Sequence, residues 1–567
     1  MRIIAVREFH PARISRLHNS QTFAYNGNMD VLTAAEMRKC DERTVEREGI
    51  SWQALMEAAG SRVAEFVVQQ FPAAQHILVL CGKGNNGGDG LVAARHLEAG
   101  GKHVRLILLS PFEQLSEDAR VMFEKLPQAL KKSSMLLATE EDLDRAPFED
   151  CFHETELFLD AILGTGFHPP LRGIAAALKN KLANYPAPVV SVDLPTGWDA
   201  DSTAMSAPDA FRSDAVITFT APKLAHVFGA LTRGPVAVAQ IGSPADLVIS
   251  GGSGTASNGI FCSIRWTGAS KKIIERRRAL DSNKGRFGHV LVIGGSPGKG
   301  GAAAMASLAA MRTGAGLTTA AVPCGIASIV AGFAPEMMTM LLEGSSSGGI
   351  SIDNFDPAKL QKLLHRITTL AIGPGLGRDP ETAEFVRELV LHSDLPAVLD
   401  ADGLNAFEGR IDLLDGSKRP LVLTPHPGEM ARLLGCTIAD VEHDRLATAR
   451  AFATKHHVTL VLKGWRTLVA HPDGSIAVNT SGNPAMAKGG SGDILTGMVA
   501  ALIAQFPTCI QQAVECAVWL HGAAADLFVR ERDEHTMLAT EMLQHLSQAI
   551  QAPVDHDNFT WLQEGQR

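Results

Sequence analysis

The chain has 567 residues, of which 46% are hydrophobic and 20% are charged, and its formal net charge is −9. This length exceeds what one hydrophobic core usually serves and predicts two domains, while the acidic balance excludes a broad nucleic-acid-binding face. Eight cysteines without a CxxC pair predict reduced thiols in a cytoplasmic protein, and no apolar run approaches the roughly 18 residues of a membrane span.

Residues 1–28 are predicted to be an extension or a disordered tail outside the fold. They contain four arginines against one acid, Glu8, which weakly resembles a transit peptide, and they lack the apolar segment of a secretory signal. From Met29 the pattern is that of a folded domain, because Thr33 and Glu36 have the spacing of a capping box before an amphipathic helix. The first domain is therefore predicted to begin at residue 29.

Five short apolar runs alternate with helical patterns between residues 76 and 219. Such alternation predicts an α/β domain with a doubly wound, Rossmann-like parallel sheet that has helices on both faces. The predicted strands are His76–Cys81, 104–109, 157–162, Val189–Val192 and Ala215–Phe219. The pattern ends in a stretch rich in glycine and serine at 250–259, which predicts a linker at 249–261 and a first domain at 29–248.

A second series of alternating strands and helices predicts another α/β domain at 262–553, followed by a tail at 554–567. Its strands are predicted at 290–293, 370–372, Ala397–Leu399, Leu421–Leu423 and 458–462. The two halves share this architecture without a readable sequence repeat.

The segment NNGGDG at 85–90 has the composition of a ligand-holding loop, although a turn rich in Asn, Asp and Gly is by itself most often only a turn. Two carboxylates later in the sequence favour a ligand-binding site over a simple turn. Asp160 and Asp193 each stand at the end of an apolar strand, where open parallel sheets gather their ligand-binding groups. For Asp193 the alternative is a structural aspartate that caps the following PTG turn.

Together with DAILGTGFHPPLRG at 160–173, VSVDLPTGWDAD at 190–201 and APKLAH at 221–226, this loop resembles the NAD(P)H-hydrate epimerase domain, also called the YjeF N-terminal domain, over about residues 31–246. The resemblance implies that Asp193 lies beside the reacting ring as general acid and base. It also implies a potassium ion held by Asn86, Asp160 and Thr196. The family usually has serine at the position of Thr196, and a threonine hydroxyl can replace it. The implied substrate, NADHX or NADPHX, would contact Asn85, Asn86, Gly87, Gly88, Asp89, Gly164, Thr165, Gly166, Phe167, His168, Pro169, Pro170 and Asp193.

A second glycine-rich segment, AKGGSGD at 487–493, leads into an amphipathic helix and predicts an anion-binding helix N-terminus. Taken alone, an aspartate such as Asp493 in a first helical turn is more often structural than catalytic. Three further polar loops follow apolar strands, namely GPGLGRD at 373–379, TPHPGE at 424–429 and KGWRT at 463–467. Four such loops at strand ends indicate one active site.

With FGHVLVIGGS at 287–296 and RTGAGL at 312–317, these loops resemble the NAD(P)H-hydrate dehydratase domain of the ribokinase-like superfamily, over about residues 266–550. Without the resemblance, His426 would be a surface histidine, and Trp465 either a base-stacking residue or a buried core residue. The resemblance implies a ribokinase-like fold in which Asp493 takes the proton from a substrate hydroxyl. The implied nucleotide-site residues are Lys463, Gly464, Trp465, Arg466, Thr467 and Gly492. The implied hydrate-site residues are Ala315, Gly377, His426 and Asp493.

The two resemblances together imply a bifunctional isomerase and lyase for metabolite repair. The first domain would interconvert the R and S hydrates, and the second would dehydrate the S hydrate with ADP and magnesium, giving AMP and phosphate. Sequence alone does not choose ADP over ATP.

Two alternatives stay open at this point. One is a sugar- or vitamin-type kinase in the second half. The other is a non-enzymatic, RNA-associated scaffold in the first half, against which the intact Asn86, Asp160 and Asp193 argue. A homo-oligomer without nucleic-acid or membrane partners is expected. The two sites use different strands and loops, so they are expected to act independently.

Overall fold

The computed structural model of the protein describes residues 29–244, 247 and 264–565. The predicted extension at 1–28 and the predicted linker at 249–261 lie outside these residues. In the part of the chain that is described, no helix combines the length and the hydropathy that crossing a membrane requires. The described cysteines are free, and Cys40, Cys81, Cys151 and Cys516 are buried.

The described strands are short and mostly buried, as expected for sheets covered on both faces. In chain order they are β1 (Asp30–Val31), β2 (His76–Cys81), β3 (His103–Leu108), β4 (Met135–Leu136), β5 (Leu157–Ala161), β6 (Val189–Val192), β7 (Ala215–Phe219), β8 (Pro235–Ala239), β9 (Ile264–Trp266), β10 (His289–Ile293), β11 (Leu317–Pro323), β12 (Met338–Leu342), β13 (Thr369–Ile372), β14 (Ala397–Leu399), β15 (Leu421–Leu423), β16 (Thr459–Leu462), β17 (Leu468–Ala470), β18 (Ile476–Val478), β19 (Asp555–His556) and β20 (Phe559–Glu564). Each strand predicted from the sequence is present, with its ends displaced by at most one residue.

The α-helices pack on these sheets, and the first of them has the predicted capping box between Thr33 and Glu36. In chain order they are α1 (Ala34–Glu48), α2 (Trp52–Gln70), α3 (Asn85–Ala99), α4 (Glu117–Glu124), α5 (Gln128–Ser133), α6 (Ala146–His153), α7 (Gly173–Leu182), α8 (Leu224–Phe228), α9 (Lys272–Glu275), α10 (Gly300–Arg312), α11 (Ala327–Ala331), α12 (Pro357–Leu363), α13 (Pro380–His392), α14 (Asp402–Asn405), α15 (Pro427–Leu434), α16 (Ile438–His443), α17 (Arg445–His456), α18 (Ser491–Gln505), α19 (Ile510–Glu531) and α20 (Met542–Gln551).

Two sheets organise the molecule, and most of their strands are parallel. The first has nine strands in the order β19-β20-β8-β7-β6-β5-β2-β3-β4, with all pairs from β8 to β4 parallel. The second has eleven strands in the order β1-β9-β18-β17-β16-β15-β14-β13-β10-β11-β12, with all pairs from β16 to β12 parallel. The carboxyl ends of the parallel strands therefore meet at one edge of each sheet, where polar loops can converge.

Each sheet is completed by a strand from the opposite end of the chain. β1 pairs antiparallel with β9 in the second sheet, and β20 pairs antiparallel with β8 in the first. The prediction of a tail at 554–567 is therefore wrong, because Phe559, Trp561 and Leu562 are buried. The predicted domain boundaries likewise fail at residues 30–31, which belong to the second sheet.

One continuous hydrophobic core joins the two halves. It contains Trp198 and Phe228 from the first half and Trp266 and Leu468 from the second. Trp266 is 1% exposed, and its indole N–H donates to the Thr480 hydroxyl at 2.8 Å. The Thr480 hydroxyl in turn donates to the carbonyl of Leu562 in β20 at 2.6 Å. The halves are thus packed as one body.

Trp561→Ala should destabilise the first sheet by about 3–5 kcal/mol, because it removes a large buried ring from the edge strand. Trp561 is 5% exposed and packs against Phe66 at a centroid distance of 6.0 Å. The measurements are urea unfolding and hydrogen exchange of the β8 amides, which should lose protection. Trp52→Ala is the control, since Trp52 is 37% exposed. Equal effects of the two substitutions would contradict a structural role for the C-terminal strand.

Candidate active sites

Asp193 is the centre of the first candidate site, at the carboxyl end of β6. Its φ of 64° is a strained backbone conformation for a non-glycine residue, of the kind that clusters at functional sites. Oδ1 accepts hydrogen bonds from the Lys223 ammonium at 2.9 Å and from the Thr218 hydroxyl at 2.9 Å. Oδ2 accepts from the Thr165 N–H at 3.0 Å. Donors from three separate segments therefore fix the orientation of this carboxylate.

The surroundings keep Asp193 ionised. Burial would raise its pKa, but the charge of Lys223 and the hydrogen bonds donated by Lys223 and Thr218 outweigh burial and hold the pKa below its ordinary value. The His226 Nδ1 accepts from the Lys223 N–H at 3.0 Å, so Nε2 donates to the Asp193 carbonyl at 2.7 Å. Burial and the Lys223 charge lower the pKa of His226 to about 4. This environment keeps Asp193 as a carboxylate, which has no proton to donate, so the acid role predicted for it requires another group.

Two further carboxyl groups can carry that proton. Burial raises the pKa of Asp89 well above its ordinary value, and the charge of Asp193 raises it further. Burial raises the pKa of Asp41 to about 6 against the opposing charge of Lys223. The Asp41 Oδ1 is buried and has no hydrogen-bond partner. Asp41 was missed from the sequence because it lies within α1, away from any strand end.

The three predicted potassium ligands lie on neighbouring elements of the same edge. Asp160 is fully buried in β5, and its two oxygens accept from the Thr196 hydroxyl at 2.6 Å and from the Thr196 N–H at 2.8 Å. Burial raises the pKa of Asp160 to about 6 although these hydrogen bonds oppose it. The side-chain oxygen and nitrogen of Asn86 are both buried without a hydrogen-bond partner. Unpaired buried amide atoms are costly, so they indicate a ligand position.

The predicted substrate segments flank this group. Residues 85–89 form the first turn of α3, whose N-cap residue Gly84 supplies no side-chain cap, so backbone N–H groups are left for a ligand. A Cβ on Gly164 would lie 3.0 Å from Asp193 Oδ2 and 3.3 Å from Asn86 Cγ, which places these residues together. Further along the second segment, Gly166, His168, Pro169 and Pro170 are exposed.

Asp493 lies in the second candidate site, in the first turn of α18. It faces a buried group built around Asp400, which follows β14 and is 1% exposed. Asp400 Oδ1 accepts from the Lys463 ammonium at 2.8 Å, and Oδ2 accepts from the Thr496 hydroxyl at 2.9 Å. A Cβ on Gly492 would lie 3.4 Å from the Lys463 nitrogen. The structure therefore brings Lys463, Gly492 and Asp493 together.

Burial and neighbouring charges determine the protonation states of Asp493 and Lys463 in this second site. Burial and the Asp400 carboxylate raise the pKa of Asp493 to about 7 against the opposing charge of Lys463. Burial would lower the pKa of Lys463, but Asp400 and Glu429 outweigh burial and hold it above its ordinary value. A carboxyl with a pKa near neutrality suits a general base.

Gly377 and His426 belong to the same edge of the second sheet. The Gly377 N–H donates to Asp402 Oδ2 at 2.8 Å, and His426 caps α15 with its Nδ1 accepting from the Gly428 N–H at 3.0 Å. The ring of His426 also lies 3.5 Å from Glu429, and burial lowers its pKa. His426 is thus a helix cap that faces the site.

Ala315 lies apart from this group, and its role in the hydrate site stays a prediction. It lies in the turn between α10 and β11, where the Gly316 N–H donates to the Phe287 carbonyl at 3.1 Å. That turn is at the amino end of β11, and a strand of seven residues separates its ends by roughly 20 Å. At the opposite, active end the Ser296 hydroxyl donates to the Gly375 carbonyl at 2.8 Å, and Lys299 lies 3.7 Å from Asp402.

The predicted nucleotide loop follows β16. Trp465 is 45% exposed, so the buried-core alternative for it is wrong. Arg466 has a φ of 50° and is 9% exposed, and its side chain donates to the Thr480 carbonyl at 2.7 Å. That side chain is thus held by backbone carbonyls, and the predicted nucleotide contact of Arg466 stays a prediction. From the other side, Arg445 donates to the carbonyls of Leu462, Lys463 and Trp465.

Several site residues were missed from the sequence. Asp400 and Ser296 follow apolar strands, which is the signal that identified Asp160 and Asp193, and so could have been found. Lys223 lies inside the quoted APKLAH motif, but nothing local in the sequence indicates that its ammonium is buried against Asp193.

The chain is similar to known proteins over almost its whole length. A family model described as YjeF-related protein N-terminus matches residues 52–225, and one described as NAD(P)H-hydrate dehydratase matches residues 290–548. A Moorella thermoacetica protein named bifunctional NAD(P)H-hydrate repair enzyme Nnr is 42% identical over 525 residues, 91% of this chain and 96% of its own. The protein of the same name from Salinibacter ruber is 36% identical over 90% of this chain and 94% of its own. A solved ADP/ATP-dependent NAD(P)H-hydrate dehydratase from Bacillus subtilis, co-crystallised with ATP and magnesium, is 33% identical over 50% of this chain and 96% of its own, with a TM-score of 0.43.

Proposed function

Because the chain belongs to the family of bifunctional NAD(P)H-hydrate repair enzymes, we propose that it is an isomerase and a lyase that restores hydrated NADH and NADPH. One observation carries the assignment of its sites. At the carboxyl end of the strands in each sheet, an aspartate lies in a group of charged side chains that includes a lysine: Asp193 accepts from Lys223 at 2.9 Å, and Asp493 lies beside the pair that Lys463 forms with Asp400 at 2.8 Å. Asp193 is held ionised, whereas Asp493 has a pKa of about 7.

The first site would epimerise the hydrates. The hydrate has a hydroxyl at C6, beside the ring nitrogen, whose lone pair can expel that hydroxyl and leave an iminium. A neutral carboxyl such as Asp89 would donate the proton with which the hydroxyl leaves as water. Water then adds to either face of C6, and the Asp193 carboxylate would take its proton. Proton transfers of this kind contribute about 10²–10⁴-fold to a rate.

Potassium is proposed at Asn86, Asp160 and Thr196. The buried Asp160 carboxylate has no cationic partner among its hydrogen bonds, and the Asn86 amide has no partner at all. Oxygen ligands with a single negative charge suit a hard, weakly hydrated cation better than zinc. Such an ion would supply fixed positive charge beside the substrate segments. Among the described residues no group of three His, Cys, Asp or Glu side chains could hold a metal.

The second site would dehydrate the S hydrate. Asp493 would take the proton of the C6 hydroxyl, whose oxygen attacks the β-phosphoryl group of ADP and displaces AMP. Lys463 and the N–H groups at the start of α18 would neutralise the charge on the phosphoryl group. The ring nitrogen then expels the phosphorylated oxygen as phosphate, and loss of the C5 proton restores the dihydropyridine. Magnesium would accompany the nucleotide phosphates, with carboxylates such as Asp402 as oxygen donors.

Two other functions remain distinguishable by experiment. A sugar- or vitamin-type kinase would accumulate a stable phosphorylated product, and a scaffold would have no turnover. Neither is favoured by a feature of the described residues. The cytoplasmic location and the homo-oligomer stay predictions. The direct test is to add ADP to the purified protein with mixed R and S hydrates and to follow the recovery of reduced-nicotinamide absorbance.

Asp493→Asn should lower dehydration of the S hydrate by about 10²–10⁴-fold while ADP binding is largely retained, because an amide cannot accept the hydroxyl proton. The wild-type rate should rise with pH and level off above the Asp493 pKa of about 7, since only the carboxylate is a base. Absorbance recovery at a series of pH values measures both. Asp412→Asn is the control, because Asp412 is exposed in the same half. Near-normal turnover of Asp493→Asn would remove Asp493 from the mechanism.

Potassium should support epimerisation, and Asp160→Ala should weaken this dependence without changing the dehydration of pure S hydrate. The reason is that Asp160 would supply the charged ligand of the ion. Rates are compared in sodium and potassium buffers. Asp160→Asn tests the loss of charge at constant shape, and Asp150→Ala on the exposed face of α6 is the control. Equal wild-type rates in the two buffers would contradict the site.

Asp193→Ala should convert the S portion of a mixed hydrate pool in a first, fast phase and then slow to the rate of spontaneous epimerisation. Wild-type protein with ADP should show no slow phase, because the first site keeps supplying the S hydrate. Asp193→Asn, which keeps a hydrogen-bond acceptor for Lys223, should behave in the same way. A progress curve without a second phase in either variant would show that inversion occurs elsewhere or that both epimers are dehydrated.

A further inference from the structure

The first half of the chain contacts the proposed nucleotide loop directly. The Trp465 indole N–H donates to the Phe228 carbonyl at 2.9 Å, and Arg466 donates to the Gly229 carbonyl at 3.2 Å. The Arg466 guanidinium lies 4.5 Å from the centroid of the Trp465 ring and covers part of one face. Because Trp465 is 45% exposed, the rest of the ring is available for a nucleotide base. These contacts orient the ring from outside its own sheet.

The same two carbonyls stand at the end of α8, which begins beside the first active site. The residue before this helix is Lys223, whose ammonium pairs with Asp193, and His226 within it donates to the Asp193 carbonyl. Only five residues therefore separate the ion pair of the first site from the anchor of the second.

This short helix is held firmly in place. Ala225 and Val227 are fully buried, and a Cβ on Gly229 would lie 2.7 Å from the Ala225 carbonyl oxygen and 2.7 Å from the Trp198 ring. At its start, the Leu32 N–H donates to the Pro222 carbonyl at 2.9 Å. Because close-packed interiors transmit strain, a displacement at one end of α8 displaces the residues at its other end.

We propose that the segment Lys223 to Gly229 serves both active sites. It positions Trp465 for the nucleotide and couples nucleotide binding to the epimerase site. The inference rests on the proposed function, since it takes 463–467 as the nucleotide loop. A nucleotide stacked on Trp465 fixes the ring, its anchor and α8 together. Hydrate binding at the first site favours the same arrangement of Lys223 and Asp193, so the coupling is positive and reciprocal. This coupling is an alternative to the expectation of two independent sites, which stays a prediction.

Affinity for ADP tests the positioning role in the full-length protein without hydrate. Trp465→Phe keeps an aromatic ring but removes the donated hydrogen bond, and Gly229→Ala displaces the accepting segment. Each should raise the calorimetric Kd for ADP by about 2–10-fold, the value of one hydrogen bond. The double variant should bind no worse than the weaker single variant, because both act on one contact. Gly100→Ala is the control, since its Cβ would meet no atom closer than 3.4 Å.

Epimerisation with and without AMP tests the coupling. AMP has no phosphoryl group to transfer to the hydrate, so dehydration does not consume the substrate. Starting from pure S hydrate, a saturating concentration of AMP should lower the KM for epimerisation about 2–10-fold and leave kcat unchanged. In Trp465→Phe, AMP should lower the KM for epimerisation by less than in the wild-type protein. The ratio of the two KM changes should match the fold loss of nucleotide affinity.

Three results would overturn the inference. They are unchanged ADP affinity in both single variants, effects that multiply in the double variant, and a KM for epimerisation that AMP does not alter. Failure of the wild-type protein to bind ADP would instead contradict the proposed nucleotide site on which the inference rests.

Discussion

The exchange of edge strands is the constraint on which the whole arrangement depends. β1 closes the second sheet and β20 closes the first, so each half needs a piece of the other for its outermost pairing. Edge strands expose unpaired N–H and C=O groups, and this exchange pairs one such edge of each sheet within the same molecule. The shared core around Trp198 and Trp266 follows from the exchange, and it brings α8 against the nucleotide loop.

The two active sites shift the pKa of an aspartate in opposite directions. Asp193 is paired with the buried ammonium of Lys223, so its charge is compensated and its pKa falls. Asp493 lies beside the Lys463 ammonium, which is already paired with Asp400. The effect of burial therefore outweighs the charge of Lys463, and the pKa of Asp493 rises to about 7. The difference lies in whether the neighbouring lysine has a second carboxylate to neutralise. Lys463 has Asp400 and Glu429, whereas the hydrogen bonds of the Lys223 ammonium go to one carboxylate, that of Asp193, and otherwise to the Thr218 hydroxyl and the Phe219 carbonyl.

The sequence was most informative where a local signal decides the structure. Apolar runs located the central strands, and polar residues after them located Asp160, Asp193 and Asp493. It failed where the decisive contact joins distant parts of the chain. The pairing of β20 with β8 has no local signature, so 554–567 was taken for a tail. Arg466 has the charge of a phosphate ligand, yet its partners are the carbonyl of Thr480 in its own half and the carbonyl of Gly229 in the first half.

The late position of β20 in the chain affects how the protein emerges from the ribosome. The partner strand β8 ends at Ala239, whereas β20 begins at Phe559. At a synthesis rate of about 5–20 residues per second, the edge of β8 remains unpaired for tens of seconds after it has been made. During that interval the nascent first half exposes the buried positions that Phe559 and Trp561 later cover, next to an open strand edge that can pair with other chains. Molecular chaperones that shield a nascent strand edge would therefore act on this protein until its last residues are translated.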